Sequence, residues 1–372
     1  MKKQRAINIE LLRVLSMLMV VAIHLFTKTG VLQELSVNSP VYYMSWILYA
    51  LCMTGVNCFV LISGYFLVDA SFKFEKLITL YLQVLFYSVV MAVVTRYLLH
   101  LEPVSGFSKV LLPVTSREYW FISVYIGLYV LSPFVNIFVR SLDERMFKGL
   151  LIVLGILFSV IPTFLHAENW LEEGGAYGIA WFVFLYLTGA YIKKYYKINS
   201  GAKTGWLYLL MIMLLPLSKF GIMLAGAVTG LIGWDKVLKI SEVFYCFHAT
   251  PVLFASVLIF VWFLRKNNIP AWLGRIVTVL SPLTFGVYLI HNNRNFSHYL
   301  FEDVLGIDYR LVERGNIVVV IGMLLLVFFG CAAIEWVRQQ LFKVMKADVL
   351  ALKAAKVCRR VCERIVPAGE EK

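Results

Sequence analysis

Ten apolar stretches, each about as long as a membrane-crossing helix, make up most of this 372-residue sequence. An α-helix rises about 1.5 Å per residue, so roughly 20 apolar residues cross a hydrocarbon core about 30 Å thick. No segment between the stretches is long enough for a soluble domain of any size. We therefore predict an all-α integral membrane protein with about ten transmembrane helices. The predicted spans are approximately 8–26, 44–69, 77–99, 120–139, 149–166, 177–192, 205–222, 241–264, 276–293 and 315–337.

The composition supports this fold class. Hydrophobic residues make up 60% of the chain and charged residues 15%, and the mean hydropathy is +0.79. Soluble proteins average about 45–50% apolar and about 25% charged residues. The composition also excludes a disordered chain and a secreted domain stapled by disulfides. The six cysteines form no Cys-x-x-Cys pair and the first four lie in apolar runs, so we predict no metal site.

Two interpretations stay open between Gly205 and Trp234. This run holds Pro216, Ser218, Lys219 and several glycines, which are residues that interrupt an apolar helix or make it polar. The run forms either one span or one span followed by a re-entrant stretch.

The distribution of positive charge predicts the orientation of the chain. With the N-terminus inside the cell, 24 of the 35 Lys and Arg residues fall in the inner segments. Because inner segments of membrane proteins are rich in Lys and Arg, both termini are predicted to be cytoplasmic. The net charge of +13 then follows from topology and requires no nucleic-acid partner. The clearest outer segment is the loop 167–176, which contains Glu168, Glu172 and Glu173 but no Lys or Arg.

The sequence divides into two parts. Residues 1–337 form the predicted transmembrane domain, and residues 338–372 form a basic, amphipathic cytoplasmic tail. In the tail, Leu341, Val344 and Val349 recur at near-helical spacing between basic residues. This pattern is typical of a helix that lies on the anionic inner leaflet of the membrane.

The first span carries the most informative polar residues. Arg13 and His24 are eleven residues apart, which is three helical turns plus roughly 20°, so they share one helix face. Glu10 lies one turn before Arg13 and can pair with it. A charged residue within a span costs about 2.5–3.5 kcal/mol on insertion scales, which favours a functional role. The alternative is an ion pair at the inner boundary and a histidine that reaches the outer boundary.

The end of the second span and the start of the third form another candidate site. Gly64, after Ser63, allows close approach of a second backbone or a local bend. Lys73 and Lys76 are three residues apart, so we expect them to share a helix face at the inner mouth of the third span. Such a pair suits phosphate binding, and the alternative is ordinary anchoring by positive charge at the inner surface.

Two further candidates lie near the predicted outer surface. Glu118 opens the fourth span, next to Tyr119 and Trp120. His291 ends the ninth span, three residues after Tyr288, at the same predicted depth as His24. Each of these residues alone is more often interfacial or solvated, but two histidines at one depth favour a shared site.

Together these elements resemble the acyltransferase-3 family of bacterial membrane acyltransferases, which includes O-acetyltransferases of surface polysaccharides. The matching elements, in order, are Glu10-Leu-Leu-Arg13 with His24, the run from Phe59 to Phe66 around Ser63-Gly64-Tyr65, Tyr119-Trp120-Phe121 with Ser132-Pro133, and Gly286-Val-Tyr288-Leu-Ile-His291. They extend over most of the chain. Each element alone is weak, but the ordered set is fairly specific.

The resemblance implies a ten-helix, multi-pass enzyme of the bacterial plasma membrane. Such an enzyme takes an acyl group from cytoplasmic acyl-CoA, acetyl-CoA being the commonest expectation. It transfers this group to a hydroxyl of a glycan or a lipid-linked sugar at the outer side, without a metal.

The resemblance also implies roles for individual residues. The family hallmark carries onto Arg13 and His24, and His24 is expected to act as the general base. Glu118 and His291 are expected to orient His24 or to bind a sugar.

The CoA donor is associated in this family with a basic pair, often Arg-x-x-Arg, that follows the Ser-Gly motif. The corresponding residues are Ser63, Gly64, Lys73 and Lys76. Lysine keeps the charge but loses the bidentate fork of arginine, which is a departure from the family pattern.

Two other functions compete with this hypothesis. A small-molecule transporter would use intramembrane Arg, Glu and His for proton coupling, with Pro216 breaking a helix at the substrate site. No paired breaks recur in corresponding halves of the sequence, and a transporter would have no reason to bind CoA. A structural membrane protein would tolerate replacement of Arg13 and His24 without loss of activity.

Overall fold

The computed structural model describes residues 6–102, 106–165, 171, 174–197, 203–266 and 268–365. Over these ranges the chain forms helices joined by turns and loops, without a strand. The predicted outer glutamates Glu168, Glu172 and Glu173 lie outside the described residues. The α-helices, in chain order, are α1 (Ile7–Thr29), α2 (Val31–Glu34), α3 (Pro40–Cys52), α4 (Gly55–Leu67), α5 (Phe74–Val93), α6 (Phe107–Leu111), α7 (Trp120–Ser141), α8 (Glu144–Gly155), α9 (Ile161–Leu165), α10 (Ile179–Tyr195), α11 (Thr204–Thr229), α12 (Trp234–Ser241), α13 (Thr250–Leu264), α14 (Ala271–Leu280), α15 (Thr284–His291), α16 (Tyr309–Val344) and α17 (Ala347–Ile365).

Eight helical segments of the described chain are long and apolar enough to cross a bilayer. They confirm the all-α, multi-pass membrane class. The sixth and eighth predicted spans correspond to α10 and α13, which are helical but have only 17 and 15 residues. Crossing by all ten segments, and the cytoplasmic position of both termini, stay predictions. The eight segments are Ile7–Thr29, Pro40–Leu67, Phe74–Leu98, Trp120–Ser141, Glu144–Leu165, Thr204–Thr229, Ala271–His291 and Ile317–Val344.

The second predicted span, 44–69, is two helices rather than one. Helix α3 ends at Cys52 and α4 begins at Gly55. A Cβ atom on Gly55 would lie 2.9 Å from the carbonyl oxygen of Ser16, so only glycine lets α4 begin this close to α1. Thr54, before this glycine, reaches the sulfur of Met19 with its hydroxyl at 3.7 Å. The break between α3 and α4 thus allows α4 to pack closely against α1, and an apolar run of sequence does not predict such a break.

A single helix, α11, covers the ambiguous run after residue 204. It has 26 residues and continues through Pro216 to Thr229, so one span rather than a span plus a re-entrant stretch occupies this range. The next predicted span begins later than expected, since α13 starts at Thr250 instead of residue 241.

Helices α4 and α10 approach each other most closely through two glycines. A Cβ atom on Gly64 would lie 2.1 Å from the carbonyl oxygen of Tyr186, and one on Gly189 would lie 2.3 Å from the carbonyl oxygen of Leu61. Real Cβ atoms do not come this close to backbone, so both positions require glycine. The close approach expected of Gly64 is therefore confirmed, and it fixes the neighbouring Ser63 in place.

A buried polar network ties α5, α15 and α16 together. The carboxylate of Glu335 is fully buried and accepts hydrogen bonds from Arg338 and from the hydroxyl of Tyr87, the latter at 2.7 Å. Gln83 donates a further bond at 3.2 Å. On α15, Gly286 makes room for this carboxylate, since a Cβ there would lie 2.3 Å from it. Because each charge has its partners, this network stabilises the helix arrangement.

The predicted boundary between the transmembrane domain and the tail, after residue 337, falls within a helix, and the division into these two parts stays a prediction. Helix α16 continues past residue 337 to Val344, and the separate tail helix α17 begins at Ala347. Two alanines one turn apart, Ala351 and Ala355, are buried in α17, which packs against α5. The guanidinium of Arg359 adds a contact of 3.3 Å to Glu75.

Candidate functional site

A cavity of about 540 Å³ lies among α1, α3, α4, α7 and α15. Arg13 and His24 both line it, which confirms that they share one face of α1. Most of the remaining wall is apolar or aromatic, as in sites that bind small molecules. Arg13 and His24 therefore mark two ends of one chamber, about three helical turns apart.

At one end, the guanidinium of Arg13 is paired within its own helix. Its Nη1 donates to both carboxylate oxygens of Glu10, at 2.9 and 2.8 Å. The two side chains are 31% and 14% exposed. The predicted pair is thus formed. Glu10, one helical turn before Arg13, neutralises the positive charge that Arg13 brings to the cavity wall.

At the other end, the imidazole rings of His24 and His291 are in direct contact. Nδ1 of His24 lies 2.9 Å from Nε2 of His291. His291 is fully buried, whereas His24 is partly accessible from the cavity. The two histidines, 267 residues apart in sequence, therefore lie at the same depth, as their positions in the first and ninth spans predict.

The contacts of His291 determine which nitrogen of His24 can accept a proton. Nδ1 of His291 lies 2.5 Å from the carbonyl oxygen of Val287, and a carbonyl only accepts hydrogen bonds, so this nitrogen carries a proton. For two neutral rings, Nε2 of His291 must then accept from Nδ1 of His24. This leaves a lone pair on Nε2 of His24, which has no hydrogen-bond partner among the described residues. The arrangement matches that of a general base oriented by a second group.

Aromatic side chains form the walls near the histidines. The ring of Tyr288 lies 6.1 Å from that of His24 and 5.9 Å from that of Phe121. Across the cavity, Tyr49 and Tyr245 stack with their centroids 5.9 Å apart. These surfaces suit an acyl chain or the apolar face of a sugar. Tyr49, Tyr245 and the nearby Phe247 were not predicted from the sequence, because α3 and the segment before α13 reach the cavity only through tertiary packing.

Glu118 does not line this cavity. It is buried, with 6% exposure, immediately before Tyr119 at the start of α7. The hydroxyl of Tyr119 donates to the carbonyl oxygen of Leu289 at 3.1 Å and accepts from Asn293 at 2.7 Å. This part of α7 thus supports the helix that carries His291, while the predicted catalytic role of Glu118 stays a prediction.

Of the residues predicted to bind the donor, some line the cavity and others do not. Ser63 lines the cavity, and its hydroxyl donates to the carbonyl oxygen of Phe59 at 2.9 Å and contacts the hydroxyl of Tyr125 at 3.3 Å. Gly64 instead faces Tyr186 on α10.

Lys73 and Lys76 are exposed and line no part of the cavity. Lys73 is the N-terminal cap of α5, with an extended backbone (φ −131°), so only Lys76 lies within the helix, which begins at Phe74. The predicted role of the pair in donor binding stays a prediction. The hydroxyl of Tyr129 fixes the Lys73 backbone, since it accepts from the amide and donates to the carbonyl at 3.2 Å.

One charged cavity residue was not singled out from the sequence. Lys28 lines the cavity beside Thr27, one turn after His24 on α1. The spacing of four residues from His24 was a usable signal, because it places both side chains on one helix face. Over the described ranges, no cluster of three His, Cys, Asp or Glu side chains could hold a metal ion.

Comparison with known proteins identifies the family of this chain. The acyltransferase-3 family model, described as an acyltransferase domain, matches residues 7–336. The matched range includes every residue that lines the cavity and every site residue predicted from the sequence. No curated protein and no solved structure matches the chain.

Proposed function

Because the chain belongs to the acyltransferase-3 family, we propose that it moves an acyl group, acetyl being the usual one in the family, from cytoplasmic acyl-CoA to a hydroxyl of a cell-surface glycan or of its lipid-linked precursor. The family supports membrane acyltransferase activity and does not favour a transporter. The observation that carries the proposal is the contact of 2.9 Å between His24, which lines the cavity, and the fully buried His291.

The proposed chemistry is a direct transfer. Nε2 of His24 takes the proton of the acceptor hydroxyl, and the oxygen attacks the thioester carbonyl. The tetrahedral intermediate collapses with loss of the CoA thiolate, which takes the proton from the imidazolium. One C–S bond breaks, one C–O bond forms, and His24 returns to its neutral state. His291 keeps Nδ1 of His24 bonded throughout, so that Nε2 faces the acceptor.

The donor enters this scheme from the Arg13 end. The apolar walls between Arg13 and His24 receive the thioester arm, and the ion pair with Glu10 keeps Arg13 in place at the entrance. The phosphates of CoA require cations outside the hydrocarbon. Lys73 and Lys76 are one proposed surface for them.

A second groove offers another set of cations for the donor phosphates. It has a volume of about 780 Å³, and Asn8, Lys266 and Arg275 line it beside the start of α1. Comparing CoA affinity of Lys73→Ala/Lys76→Ala with that of Lys266→Ala/Arg275→Ala decides between the two surfaces. The pair that binds the phosphates weakens CoA binding, and the other pair leaves it unchanged.

The test of the central proposal is transfer of labelled acetyl from acetyl-CoA to surface glycan in membranes that contain His24→Ala. Loss of a general base lowers the rate by about 10²- to 10⁴-fold. The matched control is His298→Ala, because His298 is an exposed histidine on the short segment after α15, where it pairs with Glu302. Transfer by His24→Ala at the rate of the unaltered protein would contradict the proposed role of His24.

A further inference from the structure

Lys28 occupies an unusual position at the histidine end of the cavity. It lies on α1 one turn after His24, it lines the cavity, and it is half-buried. It makes no hydrogen bond and no ion pair with any described residue. An ammonium group in this setting has lost part of its hydration without gaining a partner among the described residues.

Among the described residues, the charged group that acts on Lys28 has the same sign. Arg294, just after α15, is close enough to interact with it electrostatically, and both imidazoles of the His24–His291 pair are also within its field. None of the described residues that line the cavity is a carboxylate. An anion bound here would relieve the repulsion between Lys28 and Arg294, and the protein itself supplies no such anion among the described residues.

The other buried or half-buried cations of the described spans each have a carboxylate partner. Arg13 is paired with Glu10, Lys219 lies 3.1 Å from Glu242, and Arg338 is paired with Glu335. Each of these cations has a carboxylate from the same chain, as expected for charges in an apolar environment. Lys28 departs from this pattern at the place where a substrate must lie.

We propose that the acceptor is anionic and that Lys28 binds its carboxylate or phosphate group. Arg294 strengthens the positive electrostatic field at the histidine end of the cavity. This proposal rests on the proposed transfer, because it assigns the acceptor to the histidine end. Side chains one helical turn apart on one face have Cβ atoms about 5–6 Å apart. That spacing places the negative charge on the sugar that presents the reacting hydroxyl, or on its immediate neighbour, as in a uronic acid or a sugar phosphate.

The test measures binding to the detergent-purified full chain without any acyl donor. The probes are methyl glucuronide, glucose 6-phosphate and the neutral methyl glucoside. The variants are Lys28→Gln, Lys28→Arg and the control Lys236→Gln, an exposed lysine of α12 that does not line the cavity. Elution as a single gel-filtration species checks that each variant is folded.

We expect at least one charged probe to bind about tenfold more tightly than the neutral sugar, the size expected for one charge-assisted contact. Lys28→Gln removes this preference, Lys28→Arg keeps it, and Lys236→Gln does not change it. Added salt weakens binding of the charged probe to the unaltered protein but has little effect on its binding to Lys28→Gln. Which charged probe binds more tightly tells whether a carboxylate or a phosphate ester is the source.

Equal binding of charged and neutral sugars, absence of saturable anion binding, or a preference that survives Lys28→Gln would each overturn the proposal. These outcomes are independent of acyl transfer, since no donor is present. The proposed function is tested separately, by the labelled-acetyl assay with His24→Ala. An anion preference in a protein that transfers no acetyl would support the binding site but contradict the proposed enzymatic function.

Discussion

Both ends of the cavity carry a positively charged side chain, but only one of these two side chains is paired with a described carboxylate. Arg13 and Lys28 lie on one face of α1 and line one chamber, fifteen residues apart. The guanidinium of Arg13 is 2.8 Å from the carboxylate of Glu10. The ammonium of Lys28 has no described carboxylate partner and lies in the field of Arg294.

This difference separates a structural charge from a charge that faces a ligand. Within an apolar environment a charge requires a partner, and the chain provides one where the charge serves the fold. At the Arg13 end the partner comes from the same helix, so this end is complete before any substrate binds. At the Lys28 end no described residue supplies a carboxylate, and this is also the end where Nε2 of His24 is available to accept a proton.

The largest expected effect is on the chemistry of the histidine end. His291→Leu removes the acceptor for Nδ1 of His24, so the base is no longer held with Nε2 toward the acceptor. We expect kcat to fall by about 10²-fold, the scale of a small misplacement of a catalytic group, with little change in the acceptor KM. The measurement is steady-state acetyl transfer.

A variant with an amide at the same position distinguishes orientation from simple packing. His291→Gln supplies a carbonyl oxygen that can accept from His24, so it restores part of kcat, whereas the leucine fills the space alone. Equal rates for His291→Leu and His291→Gln would show that the contact with His24 does not orient the base.

Part of this site is predictable from sequence because it lies within one helix. The spacing of Arg13 and His24, and that of Glu10 and Arg13, places the side chains by helix geometry alone. The agreement in depth between His24 and His291 follows from topology, since the first and ninth spans both run toward the same side.

Other features depend on how the helices pack, and a single sequence does not reveal this. The break before Gly55 exists because α4 presses on the backbone of α1 at Ser16. Lys73 lies outside the helix of Lys76 because α5 begins at Phe74. Lys28 is different, because its spacing from His24 was visible in the sequence, whereas only the structure shows that no described carboxylate pairs with it.

A smaller effect is expected on stability at the Arg13 end. Glu10→Gln leaves the guanidinium of Arg13 without its carboxylate and lowers the free energy of unfolding by about 1–2 kcal/mol, less than for a fully buried pair because both side chains retain some exposure. Thermal unfolding in detergent measures it. The double variant Glu10→Gln/Arg13→Gln removes both charges and regains part of the loss. If the double variant is less stable than the sum of the two single variants predicts, the pair does not stabilise this end.

The smallest expected effect, of opposite sign, is at Lys28. Lys28→Gln removes a charge that has no described carboxylate partner and is repelled by Arg294, so the free energy of unfolding without ligand stays the same or rises by up to about 0.5 kcal/mol. The same unfolding measurement compares it directly with Glu10→Gln. A loss of stability as large as that of Glu10→Gln would show that Lys28 has a partner within the protein. The two ends of the cavity would then be alike, and the charge of Lys28 would no longer point to an anionic acceptor.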